Sequence, residues 1–227
     1  MKTKYYKLED TYRHKGLRRQ LVTALHEKGI NDKEVLKAIG RLPRHYFLDR
    51  AFEEWAYQDK AFPIGNAQTI SQPYTVAQMT SLLEVQPREK IMEIGTGSGY
   101  QAAILAMLGA RVYTIERQEL LYKRAKALLD QLRPGNVRCF FRDGHRGLPE
   151  FAPFDKILVT AGARDLPPLL LDQLRTGGRL VIPIGEGENQ ILYRITRHSE
   201  TDYQKEAMGN CRFVPFQEGI NQEGLEK

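Results

Sequence analysis

Cysteine is scarce: Cys139 and Cys211 are the two in 227 residues. That is too few for a disulfide framework, so the fold must rest on a hydrophobic core. Cys139 alternates with Val137 and Phe141, as one buried face of a strand does, and reduced packing cysteines in a cytoplasmic protein are expected. No apolar run approaches the roughly 18–20 residues that cross a bilayer, so no membrane association is expected. The opening Met1 to Lys7 carries charge but lacks the apolar stretch of a signal peptide. Internal repeats and low-complexity tracts are missing. His45, His145 and His198 show no metal-ligand spacing, and no metal is expected. The dinucleotide fingerprint G-x-G-x-x-G is absent as well.

What is present is ordinary in bulk. Hydrophobic residues at 41% and charged residues at 27% fit a globular chain able to bury a full core in one domain, 1–227. The net charge of +6 is uneven, with 13 Lys/Arg against 6 Asp/Glu in residues 1–50 and near balance beyond. Such a segment suits nucleic acid or an acidic substrate, or is a solvated helical face. No aromatic-basic RNA module interleaves it, so nucleic acid is not the expected partner and the helical face is the expectation.

Residues 1–60 read as a helical elaboration. Leu17, Leu21, Val22 and Leu25 share one face, and Gly29 closes that helix. Asn31 with Glu34 suggests a capping box opening a second helix through Val35, Leu36 and Ile39, and Arg44 to Tyr57 suggests a third. Residues 61–72 read as a loop or short extended segment, followed by a helix from Pro73 to about Leu83. From Lys90, strands at 90–94, 111–115, 137–141, 155–160 and 178–184 alternate with helices at 99–108, 117–131 and 165–174. That alternation predicts an α/β fold, a doubly wound, mostly parallel, Rossmann-like sheet. Two more strands, 190–196 and 205–213, read as an antiparallel pair, and the polar tail 217–227 as frayed.

The chemistry begins at Glu93-Ile94-Gly95-Thr96-Gly97-Ser98-Gly99. Glycines at alternate positions let backbone amides approach a ligand closely. Glu93 two residues earlier would repel a pyrophosphate, whereas a ligand with a ribose and an amino group suits it, and S-adenosylmethionine (SAM) is the candidate. In a doubly wound sheet ligands bind beyond the C-terminal strand ends. Glu116 ends the next strand, where a carboxylate can accept from ribose hydroxyls. Asp143, before Gly144, ends the third, within reach of an adenine amino group, although alone it could be a turn residue.

The polar cluster Asn66, Gln68, Thr69, Ser71 and Gln72 precedes the cofactor strand. Ser71 could simply cap the helix at Pro73; alternatively the loop arches over the methyl donor and holds an acceptor. The run Pro63-Ile64-Gly65-Asn66-Ala67-Gln68-Thr69-Ile70-Ser71-Gln72-Pro73 resembles the signature of the protein-L-isoaspartate O-methyltransferase family. The glycine motif, Asp143-Gly144, Ala152 to Ile157, Leu174 to Gly185 and Arg41 to Phe47 are similar to that family too, over roughly residues 15–215. Three positions depart from it: Ala67 for a frequent glycine, Ala163-Arg164 for Ala-Pro, and an end in which Val214-Pro215 is kept but the following tail is not.

The resemblance implies a class I methyltransferase moving a methyl from SAM to the α-carboxylate of L-isoaspartyl residues in damaged proteins. It implies cofactor contacts from Thr69, Ile70, Glu93, Gly95, Thr96, Gly97, Ser98, Gly99, Glu116, Arg117, Asp143 and Gly144. Ser71 would orient the acceptor, and Val214 and Pro215 would contact the substrate. A monomer is expected. Two other readings are a nucleic-acid base methyltransferase, against which Val159 to Arg164 lacks the (N/D)-P-P-Y motif, and a non-catalytic SAM-binding adaptor.

Overall fold

The computed structural model describes residues 8–222; the charged opening Met1–Lys7 and residues 223–227 of the tail lie outside the described residues. Helix α1 (Tyr12–Glu27) begins at Thr11, whose side chain accepts from the His14 amide while His14 Nδ1 accepts from the Thr11 amide. Helix α2 (Lys33–Arg41) is capped by Asp32, which accepts from the amides of Glu34 and Val35. Asn31 was the expected cap; the charged acceptor one position later is favoured by the positive end of the helix. The single helix expected at Arg44 to Tyr57 is instead two 3-10 turns, Arg44–Phe47 and Arg50–Trp55. Extended Leu48 separates them, and Asp49 caps the second by accepting from the Ala51 amide, a local bond that competes with helix continuation.

The segment read as a loop at 61–72 contains a hairpin, β1 (Phe62–Gly65) and β2 (Gln68–Ile70), with Phe62 opposite Ile70. Its two turn residues, Asn66 and Ala67, both have positive φ, 50° and 53°, as a two-residue hairpin turn of this hand requires. Alanine is strained there. Ala67→Gly is expected to stabilise the protein by about 1 kcal/mol, read as a higher denaturant midpoint at unchanged slope.

Helix α3 (Pro73–Leu83) starts with proline in its first turn. Then β3 (Lys90–Ile94), α4 (Tyr100–Met107), β4 (Arg111–Glu116), α5 (Glu119–Leu132), β5 (Asn136–Phe141), β6 (Phe154–Val159), α6 (Pro168–Asp172), β7 (Leu174–Glu186), β8 (Asn189–Arg197) and β9 (Tyr203–Cys211) complete the chain. The sheet order is β5-β4-β3-β6-β7-β8-β9, with parallel pairing through β7 and antiparallel pairing from β7 to β9. This is the doubly wound class I methyltransferase architecture with an antiparallel extension. The order reverses at β3, between β4 and β6, which makes its C-terminal end the natural crevice. Helix α6 is shorter than the expected 165–174 because Pro167 and Pro168 cannot continue a helix toward their N-terminal side.

Strand alternation divides the core. Ile91, Val112, Leu158 and Val181 point to a face covered by α3 and α4 and the N-terminal helices, while Met92, Ile94, Ile157, Leu180 and Ile182 point to the other. Helix α4 is buried from Tyr100 through Ala106. Such a helix needs cover on its outer side as well, which explains why an apolar N-terminal layer is packed there.

Candidate active site

Strand β3 ends at Ile94 and the glycine turn leads into α4. Gly95, Gly97 and Gly99 all have positive φ, so each position favours glycine. A Cβ on Gly95 would fall 2.4 Å from Thr160 Oγ1. Thr160 follows β6, and its hydroxyl lies 2.9 Å from Ile94 O and 2.8 Å from Gly95 O, with its own amide donating to Ile94 O. One side chain thereby locks the exit of the central strand.

The cleft over this turn is lined by Gln68, Thr69, Ile70 and Ser71 from the hairpin side and by Gly95 to Ser98 from the turn. Glu116, Arg117 and Gln118 line it from the end of β4, with Thr160 and Ala161 after β6 and Val214 to Gln217 beyond β9. Glu116 Oε2 accepts from the Gly97 amide at 2.8 Å and Oε1 from the Gln118 amide at 2.9 Å. Burial pushes its carboxyl up, against those amide bonds. Gln118 Oε1 is buried without a partner among the described residues. The guanidinium of Arg117 is engaged by the C-terminal segment, donating to Gly219 O and Gln217 Oε1. A buried carboxylate, exposed turn backbone and an orphaned amide oxygen suit a ribose and a base better than a phosphate. The donor set thus fits SAM.

Several residues marked in the sequence are placed differently. Ser71 does not cap α3: Gln72 occupies that position without a side-chain cap bond, and the first-turn amide of Tyr74 donates to Asp59 Oδ1 at 2.7 Å instead. Ser71 faces the cleft, and its hydroxyl has no hydrogen-bond partner among the described residues. Glu93 does not line the cleft; it lies beneath the glycine turn, fully buried, because alternation along β3 aims it into the α4 face. Gly99 is likewise absent from the wall; a Cβ there would fall 3.1 Å from Leu129 and 3.6 Å from Ala125 of α5. Asp143 is not brought to the wall, although its neighbour Gly144 is. Its carboxylate accepts from the amides of His145 and Gly219. Partial burial acts to raise it, but those amides and the adjacent His145 ring bring it below the usual carboxylate range.

The tail expected to fray is the reason for that second amide. Residues 217–222 run across the β4–α5 junction, where Asn221 N donates to Arg117 O and Glu119 N donates to Asn221 O. Phe216 stacks on His145 at 3.8 Å between centroids and also lines the cleft. Nothing in the sequence pattern signalled this strap, since its pairing is to backbone distant in the chain.

The segment carrying Val214 and Pro215 is tied down by a residue the sequence did not mark. Gln190 accepts from the Phe213 amide at 2.7 Å and donates to Phe213 O at 3.0 Å, and any Cβ on Gly162 would strike it. Gly162 N in turn donates to Val214 O, and Phe216 N to Gly162 O. Gln190→Ala is expected to raise the KM for an acceptor about tenfold by freeing these groups, while SAM affinity measured by calorimetry changes far less. At the departure from the family pattern, Ala163 is buried and paired with β7, whereas Arg164 is exposed and sits 3.1 Å from Glu186.

Fold, cleft and signature hairpin can now be set beside known proteins. The family described as Protein-L-isoaspartate(D-aspartate) O-methyltransferase matches residues 16–221. The chain belongs to that family. A protein-L-isoaspartate O-methyltransferase from Flavobacterium johnsoniae is 57% identical over 214 residues, 94% of this chain and all of that protein. One from Cytophaga hutchinsonii is 53% identical over 92% of this chain and 94% of that protein. Among solved structures, a protein-L-isoaspartate O-methyltransferase superposes with a TM-score of 0.81 at 27% identity, covering 89% of this chain and 67% of the other. A Plasmodium falciparum member in complex with S-adenosyl-L-homocysteine gives 0.79 at 26%, covering 88% and 98%. No helix among the described residues is long and apolar enough to cross a membrane.

Another cluster escaped the sequence reading of the histidines. Asp10, His14 and His45 offer ligand atoms within 4.8 Å of one another. Those atoms are already engaged. Arg18 bonds both oxygens of Asp10, and His14 lies between the Thr11 amide and Glu53. His45 bridges Tyr57 and Glu9 O. The cluster staples α1 onto the 3-10 turns of residues 44–55.

Proposed function

We propose that this chain transfers the methyl group of SAM to the α-carboxylate of L-isoaspartyl residues in damaged proteins, in the cytoplasm and as a monomer. The ester then closes spontaneously to a succinimide, part of which hydrolyses to normal aspartate. The observation that carries this reading is the meeting, in one cleft of a family member, of Thr69-Ile70-Ser71 with the glycine turn and Glu116. SAM supplies an electrophilic methyl on a sulfonium when bound.

The protein's part is placement. Glu116 and the amides of the turn hold the cofactor, and Gly144 with the orphaned Gln118 oxygen borders the space for its base. Thr69 and Ile70 form the edge of the hairpin, and Ser71 Oγ donates to the acceptor carboxylate. Val214 and Pro215 close the opposite side, held by Gln190. An isoaspartyl carboxylate is already ionised at neutral pH, so no general base is required. The lining agrees with that, for among the described residues it contains no His, Lys or Cys. What the site supplies is alignment and exclusion of water. The neutral, small residues on the hairpin side leave a carboxylate unopposed by like charge.

Product chemistry separates this reading from a nucleic-acid methyltransferase. A carboxyl methyl ester releases methanol in mild alkali and an N-methyl base does not. Labelled product formed on an isoaspartyl peptide should therefore yield volatile label after brief alkaline treatment. Stable label would contradict the assignment.

A further inference from the structure

Asp59 lies outside the cleft lining, in the turn that joins the second 3-10 element to the signature hairpin. Its Oδ1 accepts from the Tyr74 amide at 2.7 Å, 15 positions along the chain. Tyr74 is the second residue of α3, where backbone amides have no partner within the helix. The bond therefore closes residues 60–73, which carry β1, β2 and Ser71, into a loop with a fixed base.

The turn is itself gripped from the N-terminal layer. Arg44, fully buried, donates to Ala56 O at 3.0 Å and to Lys60 O at 3.3 Å. Lys28, just past α1, donates to Asp59 Oδ2 at 2.6 Å. One carboxylate oxygen thus faces α1 and the other faces α3. Between Tyr74 and Ser71 stand Gln72 and Pro73. Proline fixes its own φ and confines the residue before it to extended backbone, and Gln72 has ψ 148°. This stiff link carries the position of the Tyr74 amide to Ser71. At the other end of the loop, Gln118 Nε2 donates to Asn66 O at 3.3 Å and ties the hairpin turn to the Glu116 side of the cleft.

We infer that Asp59 is a positioning residue for methyl transfer: by closing the signature loop onto the first turn of α3, it holds Ser71 at the acceptor. The N-terminal helical layer thereby acts on the reaction, through Lys28 and Arg44, without entering the cleft. The inference deepens the proposed function and rests on it.

Steady-state kinetics on an isoaspartyl peptide, beside calorimetry of SAM and a thermal melt, tests it. Asp59→Ala should lower kcat about tenfold, since small misplacements of a reacting group are costly, with Kd for SAM within about twofold. Asp59→Asn keeps an acceptor oxygen at the same reach and should restore kcat to within about threefold, whereas Asp59→Glu keeps the charge at the wrong reach and should stay low. In the Asp59→Ala background, Ser71→Ala should cost about tenfold rather than the about hundredfold expected alone, because a misplaced hydroxyl has less to lose. Should Asp59→Ala fail to fold, the contrast between Asp59→Asn and Asp59→Glu decides, and any other order of those two overturns the inference. Additive losses in the double variant, or an equal loss of SAM affinity in Asp59→Ala, would overturn it too and leave the proposed function standing. Failure of the wild type to methylate the peptide would remove the proposed function and the inference together.

Discussion

Ser71→Ala is expected to lower kcat on an isoaspartyl peptide about a hundredfold, the scale seen when one preorganised donor to a reacting oxygen is removed, while Kd for SAM stays within about twofold. The physical case is the position of the hydroxyl. It sits on the cleft wall next to the hairpin edge and has, among the described residues, no partner to hold it back from a ligand. It caps no helix either, because the cap position of α3 belongs to Gln72. Loss of the hydroxyl should therefore cost little stability, within about 0.5 kcal/mol as for an ordinary surface change. A melt unchanged beside a collapsed kcat is the signature of positioning. An unchanged kcat would remove Ser71 from the proposed role.

Glu116→Ala should have its effect on the other substrate. SAM affinity is expected to fall by about a hundredfold or more, because charge-assisted bonds to ribose hydroxyls contribute about 1.5–3 kcal/mol each. Part of that loss is structural. Both carboxylate oxygens already accept from the amides of Gly97 and Gln118, so the truncation leaves the turn without its anchor. Glu116→Gln separates the two contributions. It preserves size but replaces one acceptor by a donor facing an amide, so it should weaken SAM nearly as much while packing is retained. Turnover at saturating SAM should change several-fold less than affinity does in either variant. Calorimetry showing unaltered SAM affinity in Glu116→Ala would exclude Glu116 as the ribose acceptor.

The parts of the fold and site that the sequence disclosed are those fixed by local physics. Strands β3 to β6 follow from apolar runs bounded by turns, and the glycine turn follows from spacing that only close backbone approach explains. Glu116 was legible because it ends a strand at the switch point. Other features depend on contacts between distant segments. Glu93 and Gly99 belong to the same motif, yet strand alternation and the α4–α5 contact turn them from the cleft. Asp143 sits at a strand end as expected, but the amide of Gly219, 76 residues later, claims one oxygen. Gln190 and Thr160 look unremarkable in sequence, since their roles arise from bonds to chain segments brought near by β6 to β8. The break at Leu48 was hidden because Arg44 to Tyr57 has residues compatible with helix, and a short side-chain cap decided otherwise.

The measurement that bears most directly on the assigned activity is transfer of labelled methyl from SAM to an L-isoaspartyl peptide, run beside the same peptide with normal aspartate. The two differ in which carboxylate is free, so contacts away from the linkage are matched. The account predicts alkali-labile label on the isoaspartyl peptide and background on its twin. Equal transfer to both would contradict isoaspartyl specificity, and transfer to neither, with SAM still bound, would contradict catalysis itself.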